Sequence, residues 1–240
     1  PDTILVSLMM VNNETGAVND ITAVARMLKA ENSIALLHTD AVQGFLKVPF
    51  SAKTLGADLI TISGHKIHAP KGIGALYIRS GLKLPPYIHG GGQERGIRAG
   101  TEPTPQIAAF GEAVRIAKAE MPEANKRMEA LRAQCVQTLT DTVPDIVFLG
   151  GGSAHILSLS LPGYRSEVLM NYLEAKGIYV SKSSACKRGK RSHVLEAIGA
   201  PDKVIDGALR VSFSRYTTAE ECAYFCEALA AARKELYPSL

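Results

Sequence analysis

The sequence has few of the features that mark membrane, secreted or nucleic-acid-binding proteins. No apolar run reaches the roughly 18–20 residues that a membrane-spanning helix needs, and the chain does not open on a basic patch followed by an apolar stretch and a cleavage site. The formal net charge is only +4 over 240 residues, and the cations are scattered. We therefore expect a soluble, cytoplasmic protein that acts on neither membranes nor nucleic acid.

Cysteine is also scarce, because the chain has only four, and their spacing does not repeat. Such a pattern favours free thiols over a disulfide framework. Cys222 and Cys226 lie four residues apart in an apolar helical pattern, and Cys135 lies in another helical pattern, so we interpret all three as core residues. Cys186 has different neighbours, since five cations lie within ten positions around it. Cations favour the thiolate, which predicts a reactive thiol, although a solvated basic loop with an incidental cysteine stays open.

The first half of the chain alternates short apolar runs with helical patterns, which predicts an α/β fold with a mainly parallel sheet. The strands are expected at residues 6–11, 34–38, 59–62 and 74–78, the last three of them buried on both faces, with a helix that Asn19 caps. A long helix is expected over residues 104–142, interrupted near Pro122, followed by a small α+β unit. We predict part of a large domain at 1–110 and a connecting helix with a small domain at 111–240. The chain opens on an apolar strand, which is typical of a fragment.

Two polar side chains follow neighbouring strands at the expected sheet edge. Lys66 comes just after one buried run, and Asp40 ends another, 26 residues earlier. Parallel strands joined by a crossover have about this spacing, so both side chains are expected at one carboxyl edge, where such folds bind ligands. A pyridinium cofactor requires this pair, because the carboxylate pairs with the ring nitrogen and the amine bonds the aldehyde. A solvated loop lysine and a helix-capping aspartate are the structural alternatives.

Other candidate sites are weaker. A glycine-rich run at residues 89–101 contains two arginines and a hydroxyl, which suits phosphate binding, but it matches neither the phosphate-loop nor the dinucleotide fingerprint. His38, Asp40, His65 and His68 could hold a metal ion. The sequence has no His-x3-His or Cys-x2-Cys pair on one regular element, which disfavours a metal site.

Five segments combine these polar groups in a fixed order: residues 11–16 (VNNETG), 40–43 (DAVQ), 63–66 (SGHK), 90–101 (GGGQERGIRAGT) and 184–186 (SAC). In order and spacing they resemble the cysteine desulfurases of the NifS and IscS kind. These are class V aminotransferase-like enzymes of fold type I that use pyridoxal 5'-phosphate. The resemblance covers essentially all 240 residues, so it implies that fold and that cofactor.

The resemblance implies a role for each matching cofactor residue. Lys66 matches the lysine that holds the cofactor as an internal aldimine, and Asp40 matches the carboxylate that keeps the ring nitrogen protonated. The other matching residues are Asn13 and Gln43 on the phenolic oxygen side, Ser63 and His65 at the phosphate, and Thr101, which reaches the phosphate of the neighbouring subunit's cofactor. A homodimer is therefore implied.

The resemblance also implies the reaction. Arg210 matches the arginine that clamps the substrate carboxylate, and Cys186 matches the nucleophile that takes sulfur from L-cysteine and becomes a persulfide. The products are L-alanine and sulfur for iron–sulfur cluster or thio-cofactor synthesis. An acceptor, such as an iron–sulfur scaffold or a tRNA-thiolation protein, is the implied partner.

The sequence departs from the family pattern in two places. Residues 187–191 (KRGKR) replace a more neutral Ser/Thr-rich run, which bears on the choice of acceptor. Family members also carry an upstream segment with a phosphate-binding turn and a ring-stacking histidine, which these 240 residues do not contain. Two alternatives stay open: a selenocysteine lyase or other class V enzyme, which would not need Cys186, and an inactive fragment that only binds partners.

Overall fold

The computed structural model describes residues 2–182 and 191–238. The chain forms two compact units that are not contiguous in sequence. Unit 1 comprises Pro1–Val11 and Asn19–Met121, and unit 2 comprises Asn12–Val18 and Pro122–Leu240. The short segment Asn12–Val18 therefore leaves unit 1 and returns to it before the first helix. In the part of the chain that the structure describes, no helix has both the length and the apolar composition needed to cross a membrane.

Unit 1 is built on a four-stranded sheet in the order β1-β2-β3-β4. The first three strands are parallel and β4 runs antiparallel to β3, so the expected α/β architecture with a mainly parallel sheet is confirmed. The elements are β1 (Leu5–Met9), α1 (Ile21–Ala30), β2 (Leu36–Asp40), α2 (Ala52–Leu55), β3 (Leu59–Ser63) and β4 (Gly74–Ile78).

The start of α1 differs from the expectation by one residue. Asp20, rather than Asn19, caps the helix, because its side chain accepts a hydrogen bond from Ala23 N at 2.9 Å. Asn19 donates instead to the carbonyl of Met9 at 2.8 Å, which ties the turn before the helix to the end of β1. Both residue types make good caps, so their order in the sequence could not decide between them.

Burial on both faces is correct only where β3 begins, at Leu59 and Ile60, because buried and half-buried residues alternate along β2. Leu37 of β2 and Ile60 of β3 are buried, whereas Leu5 of β1 is 48% exposed and Leu76 of β4 is 46% exposed. Among the described residues β1 and β4 are the edge strands, and each has one neighbour in the sheet. The expectation was wrong for β4 because a continuous apolar run does not reveal where its strand lies in the sheet.

A single helix of 39 residues, α3 (Thr104–Thr142), contains the boundary between the units. The interruption expected near Pro122 is absent, since this proline lies within the continuous helix. Proline removes one backbone hydrogen bond from a helix, but its fixed φ is close to the helical value. In the unit 2 part, Met128, Leu131, Cys135 and Leu139 recur at spacings of three and four and are all buried.

Unit 2 has an antiparallel sheet in the order β5-β6-β8-β7. All residues of β6 are buried, and β6 contributes with α3, α4 and α7 to one core. The short helices α5 and α6 have five residues each and gave no periodic signal in the sequence. The elements are β5 (Val147–Leu149), β6 (Ile156–Ser160), α4 (Ser166–Glu174), β7 (Ser181–Lys182), α5 (His193–Ala197), α6 (Asp202–Asp206), β8 (Ala208–Ser212) and α7 (Ala219–Glu235).

The cysteines Cys135, Cys222 and Cys226 are free thiols in the core of unit 2, as expected. Each is less than 5% exposed. A hydrogen bond with the Cys226 thiol and burial raise the pKa of Cys135, and burial raises the pKa of Cys222 to about 12. Protonated, buried thiols are poor nucleophiles, so Cys135 and Cys222 are chemically quiet at neutral pH.

Candidate cofactor and substrate site

The carboxyl ends of β2 and β3 in unit 1 bring the first candidate residues to one edge. Asp40 is the last residue of β2, and the strand register pairs it with Thr61 of β3. Directly after β3, the 3-10 turn Gly64–Ile67 carries Lys66. Ala41 N donates to the carbonyl of Thr61 at 2.9 Å, which continues the pairing beyond Asp40. Asp40 and Lys66 therefore lie at the same edge of the sheet, as their spacing predicted.

Asp40 is held by the turn that follows it. Its Oδ1 accepts a hydrogen bond from Val42 N at 2.9 Å, and the side chain is half-buried. The chain continues from Asp40 into tight turns at residues 41–48 and not into a regular helix, so the helix-cap alternative is wrong. Gln43 lies in these turns and is buried. A carboxylate and an amide thus occupy the end of β2.

Ser63 and His65 form a hydrogen-bonded pair at the end of β3. Ser63 Oγ and His65 Nδ1 are 2.7 Å apart, and His65 is exposed. Desolvation, followed by the positive charges of Lys66, Lys71 and Lys47, lowers the pKa of His65. The imidazole is therefore neutral at pH 7, and its ring can donate or accept hydrogen bonds without adding charge.

Lys47 is a member of this cluster that the sequence did not reveal. It lies in the turn after β2, where its backbone N–H donates to the carbonyl of Gly44 at 3.0 Å. Burial, and then the positive charge of Lys66, lowers the pKa of Lys47 to about 8. The only available signal was its position seven residues after Asp40, at the edge where Lys66 was expected.

These groups suit pyridoxal 5'-phosphate. Lys66, Lys71 and Lys47 are close enough to His65 to lower its pKa, Lys66 also lowers the pKa of Lys47, and such a concentration of cations favours an anion such as a phosphate group. Lys66 supplies the amine that an aldehyde requires, and Asp40 supplies the carboxylate that a pyridinium nitrogen requires. The donor set on unit 1 therefore matches each of the three polar parts of this cofactor.

Thr101 ends the glycine-rich loop of unit 1 and is exposed. The loop contains the 3-10 turn Gln93–Gly96, in which Glu94 and Arg95 have left-handed φ values of 48° and 58°. Gly100 N donates to Gln93 Oε1 at 3.2 Å, which closes the loop on itself. Two non-glycine residues in this region of φ/ψ space store strain, a feature often found at binding sites.

Arg210 and Asn13 are brought together in unit 2, although they are 197 residues apart in the chain. Arg210 lies on β8, and its Nη1 donates to the carbonyl of Asn13 at 3.0 Å. Its Nη2 donates to Ser181 Oγ on the neighbouring strand β7, also at 3.0 Å. The guanidinium is half-buried, and two neutral acceptors fix its orientation.

Cys186 lies outside the described residues. Two of the five cations that the sequence places around it are paired with carboxylates: Lys182 contacts Glu167, and Arg191 contacts Asp202 at 2.8 Å and Asp206 at 2.7 Å. Paired cations stabilise a thiolate less than free ones, because the carboxylates offset their field. The charge argument for a reactive thiol therefore rests on fewer cations than the sequence suggested.

The metal alternative has no support from the described residues, in which no group of three or more His, Cys, Asp and Glu side chains could hold an ion. Both ring nitrogens of His38 have hydroxyl partners, Ser7 Oγ at 2.7 Å and Thr61 Oγ1 at 2.8 Å. His65 is engaged with Ser63.

Residues 1–225 match the family model of aminotransferase class V. The chain belongs to the aminotransferase class-V family. It is 43% identical over 225 residues to a protein named cysteine desulfurase 2 from Trichormus variabilis, covering 92% of this chain and 56% of that protein. It is 44% identical over 232 residues to a cysteine desulfurase IscS from Tolumonas auensis, covering 93% of this chain and 56% of the relative.

A solved structure described as a NifS-like protein has the same fold. It superimposes with a TM-score of 0.90 at 40% sequence identity, over 98% of this chain and 62% of that one. The resemblance to NifS and IscS proteins and the fold-type I architecture are confirmed. The chain spans a little over half the length of the curated relatives it matches.

Proposed function

We propose that these residues belong to a pyridoxal phosphate-dependent cysteine desulfurase, which converts L-cysteine to L-alanine and leaves the sulfur as a persulfide on Cys186. One observation carries the proposal: Asp40 and Lys66 lie at the carboxyl ends of adjacent strands in one sheet, with the Ser63–His65 pair beside Lys66. The names of the relatives in the class V family support this reaction over others.

Each residue of unit 1 then has a defined task. When bound, the cofactor supplies a ring that withdraws electrons from the α-carbon of the substrate amino acid. Lys66 would bind the aldehyde and, as a free amine, would move a proton on the substrate. Asp40 holds the proton on the ring nitrogen, and its contact with Val42 N orients the carboxylate for this. Ser63, His65 and the lysine cluster hold the phosphate, and Gln43 bonds the phenolic oxygen; the resemblance gives the same role to Asn13, a residue of unit 2.

Arg210 and Cys186 act on the substrate. The planar guanidinium of Arg210 binds the carboxylate of L-cysteine through two parallel hydrogen bonds. The Cys186 thiolate attacks the substrate sulfur, so an S–S bond forms while the bond between the substrate's Cβ and sulfur breaks. The carbon then takes a proton, which yields alanine, and the sulfur stays on Cys186.

The assembly and its setting are part of the proposal. Unit 1 and the loop ending at Thr101 form part of a large cofactor domain in a homodimer. The family resemblance supports this assembly, and the exposure of Thr101 allows the contact with a neighbouring subunit that the resemblance implies. Unit 2 forms the small domain. The persulfide passes to a sulfur-acceptor protein that serves iron–sulfur cluster or thio-cofactor synthesis. The free thiols of Cys135, Cys222 and Cys226 support a reducing compartment, the cytoplasm.

The test uses the natural chain that carries these residues, purified with pyridoxal phosphate. We expect borohydride to fix the cofactor on Lys66 in a peptide map, and L-cysteine to release alanine with a persulfide on Cys186. Lys66→Ala should abolish both results, while the matched variant Lys53→Ala, at an exposed site on α2, should leave them unchanged. The cofactor on another lysine would contradict the assignment of Lys66.

The same preparation separates the two alternatives. A selenocysteine lyase would release alanine from selenocysteine at an undiminished rate in the Cys186→Ser variant. A protein that only binds partners would release no alanine from either substrate.

A further inference from the structure

The segment Asn12–Val18 is a tight turn fixed within unit 2. Asn12 Oδ1 accepts hydrogen bonds from the backbone N–H groups of Glu14 and Thr15, both at 2.9 Å. Gly16 has a φ of +72°, and a Cβ there would lie 2.8 Å from Ser153 Oγ, so both its conformation and its surroundings require glycine. The turn therefore has one defined shape, and it presents the side chain of Glu14 in one direction.

Glu14 is a buried carboxylate that the proposed reaction does not use. Its side chain is paired with a hydroxyl of unit 2, because Ser192 Oγ donates to Glu14 Oε2 at 2.5 Å. Glu14 is 6% exposed and Ser192 is 3% exposed. Burying a carboxylate costs free energy unless it is hydrogen-bonded, so this contact fixes the two residues against each other.

Ser192 is also the N-cap of α5. Its Oγ accepts a hydrogen bond from Leu195 N at 3.1 Å while it donates to Glu14. The helix has only five residues, and Leu195 is fully buried, so the place where α5 begins depends on this cap. Glu14 thereby determines where the chain enters α5.

The neighbouring residue Asn13 is held by a second contact within unit 2, with Arg210. Arg210 donates to the Asn13 carbonyl and to Ser181 Oγ, both at 3.0 Å. Ser181 and Ser192 are five residues before and six residues after Cys186 in the sequence. The turn at Asn13 and Glu14 is thus connected to Ser181 through Arg210 and to Ser192 directly. These two serines lie on opposite sides of the proposed nucleophile in the sequence.

We propose that Glu14 is a positioning residue for sulfur transfer to Cys186, acting through Ser192. This inference rests on the proposed function and extends it to a residue outside the cofactor and substrate contacts. Breaking the Glu14–Ser192 contact lowers the rate of sulfur transfer, because the chain on the far side of Cys186 is no longer held to the turn that carries Asn13. The cofactor contacts of unit 1 and the guanidinium of Arg210 do not use the Glu14 side chain, and the Asn13 turn is shaped by Asn12 Oδ1 and backbone N–H groups, so cofactor and substrate binding are retained.

The experiment compares four variants of the natural chain loaded with pyridoxal phosphate. Glu14→Ala removes the acceptor, Ser192→Ala removes one oxygen with little change in volume, and Glu14→Gln keeps an acceptor of the same length. Thr218→Ala is the matched control, since Thr218 caps α7 in the same unit and is exposed. The readouts are kcat and KM for L-cysteine, cofactor absorbance and melting temperature.

We expect kcat to fall about tenfold in Glu14→Ala and Ser192→Ala, the scale of a misplaced reacting group, with KM and absorbance unchanged. Glu14→Gln should restore most of the rate, and Thr218→Ala should lose thermal stability without losing kcat. A wild-type kcat in Glu14→Ala, or an equal loss in Thr218→Ala, would overturn the proposal. If Glu14→Ala does not fold, Ser192→Ala decides the question by the same criteria.

A second readout does not depend on activity. Trypsin can cleave after Lys187, Arg188 and Lys190, all between Ser181 and Ser192. In cofactor-free protein we expect faster cleavage there in Glu14→Ala and Ser192→Ala than in wild type or Thr218→Ala. If the wild type releases no alanine, the proposed function fails, and the cleavage rate alone tests whether the Glu14–Ser192 contact holds this part of the chain. Faster cleavage in the two variants supports that role, and equal cleavage overturns it.

Discussion

Replacing Lys47 by methionine should stabilise the cofactor-free protein. Burial and the charge of Lys66 lower the pKa of Lys47 from 10.5 to about 8. Each pKa unit corresponds to about 1.4 kcal/mol, so protonated Lys47 costs at most about 3.5 kcal/mol of folding free energy. Methionine has a similar length and no charge, and it keeps the apolar packing of the stem. The figure is an upper bound because the variant also loses the contacts of the ammonium group.

The pH dependence distinguishes this cause from simple repacking. The folded-state pKa lies below the unfolded value, so between about pH 8 and 10.5 the unfolded chain binds more protons and the wild type gains stability as pH rises. Below pH 8 both states are protonated and the cost is constant. The advantage of Lys47→Met should therefore be full at pH 7 and vanish towards pH 10.5.

Urea unfolding of the cofactor-free natural chain at pH 7, 9 and 10 measures this difference. The control is Lys53→Met on α2, an exposed site where we expect a change within about 0.5 kcal/mol. With pyridoxal phosphate added, Lys47→Met should bind the cofactor more weakly, because the phosphate loses one cation. A destabilised variant at pH 7, or an advantage that does not change with pH, would refute the electrostatic reasoning.

Three further predictions concern the proposed site. Iodoacetamide should label Cys186 faster than Cys135, Cys222 and Cys226, because the last three are buried. Mass spectrometry measures the labelling of each cysteine, and equal rates for all four at each pH would contradict this. Arg210→Lys should lose about 2–4 kcal/mol of transition-state binding, since lysine cannot make two parallel bonds to a carboxylate; an unchanged kcat/KM for cysteine would rule out the clamp. Residues 1–240 alone should bind pyridoxal phosphate weakly and turn over little cysteine compared with a full-length relative, because they correspond to only 56% of the length of the relatives they match. Equal affinity and turnover in a cofactor titration with alanine detection would show that these residues suffice.

The regular part of the fold could be predicted because it is local. Strands β2 and β3 overlap the apolar runs expected at residues 34–38 and 59–62, and the buried residues in the second half of α3 recur at spacings of three and four. What the sequence could not supply was the position of a strand in its sheet, which decides the exposure of Leu5 and Leu76. Helices α5 and α6 were missed because five residues carry no periodicity, and contacts such as Arg191 with Asp206 help to hold them.

The candidate site also has a part that the sequence could predict and a part that it could not. The edge shared by Asp40 and Lys66 follows from chain order and crossover length, which a sequence contains. The burial of Lys47 depends on how the turn after β2 folds back, and no spacing rule predicts it.

The segment Asn12–Val18 shows most clearly why the rest could not be predicted. It lies between β1 and α1 of unit 1, and a division of the sequence into consecutive domains assigns it there. Its contacts assign it to unit 2, where Arg210 holds Asn13 across 197 residues and Ser192 holds Glu14 across 178. No local pattern encodes a partner at that distance. Asn13 therefore depends on the folding of unit 2, whereas Asp40 and Lys66 depend on the folding of unit 1.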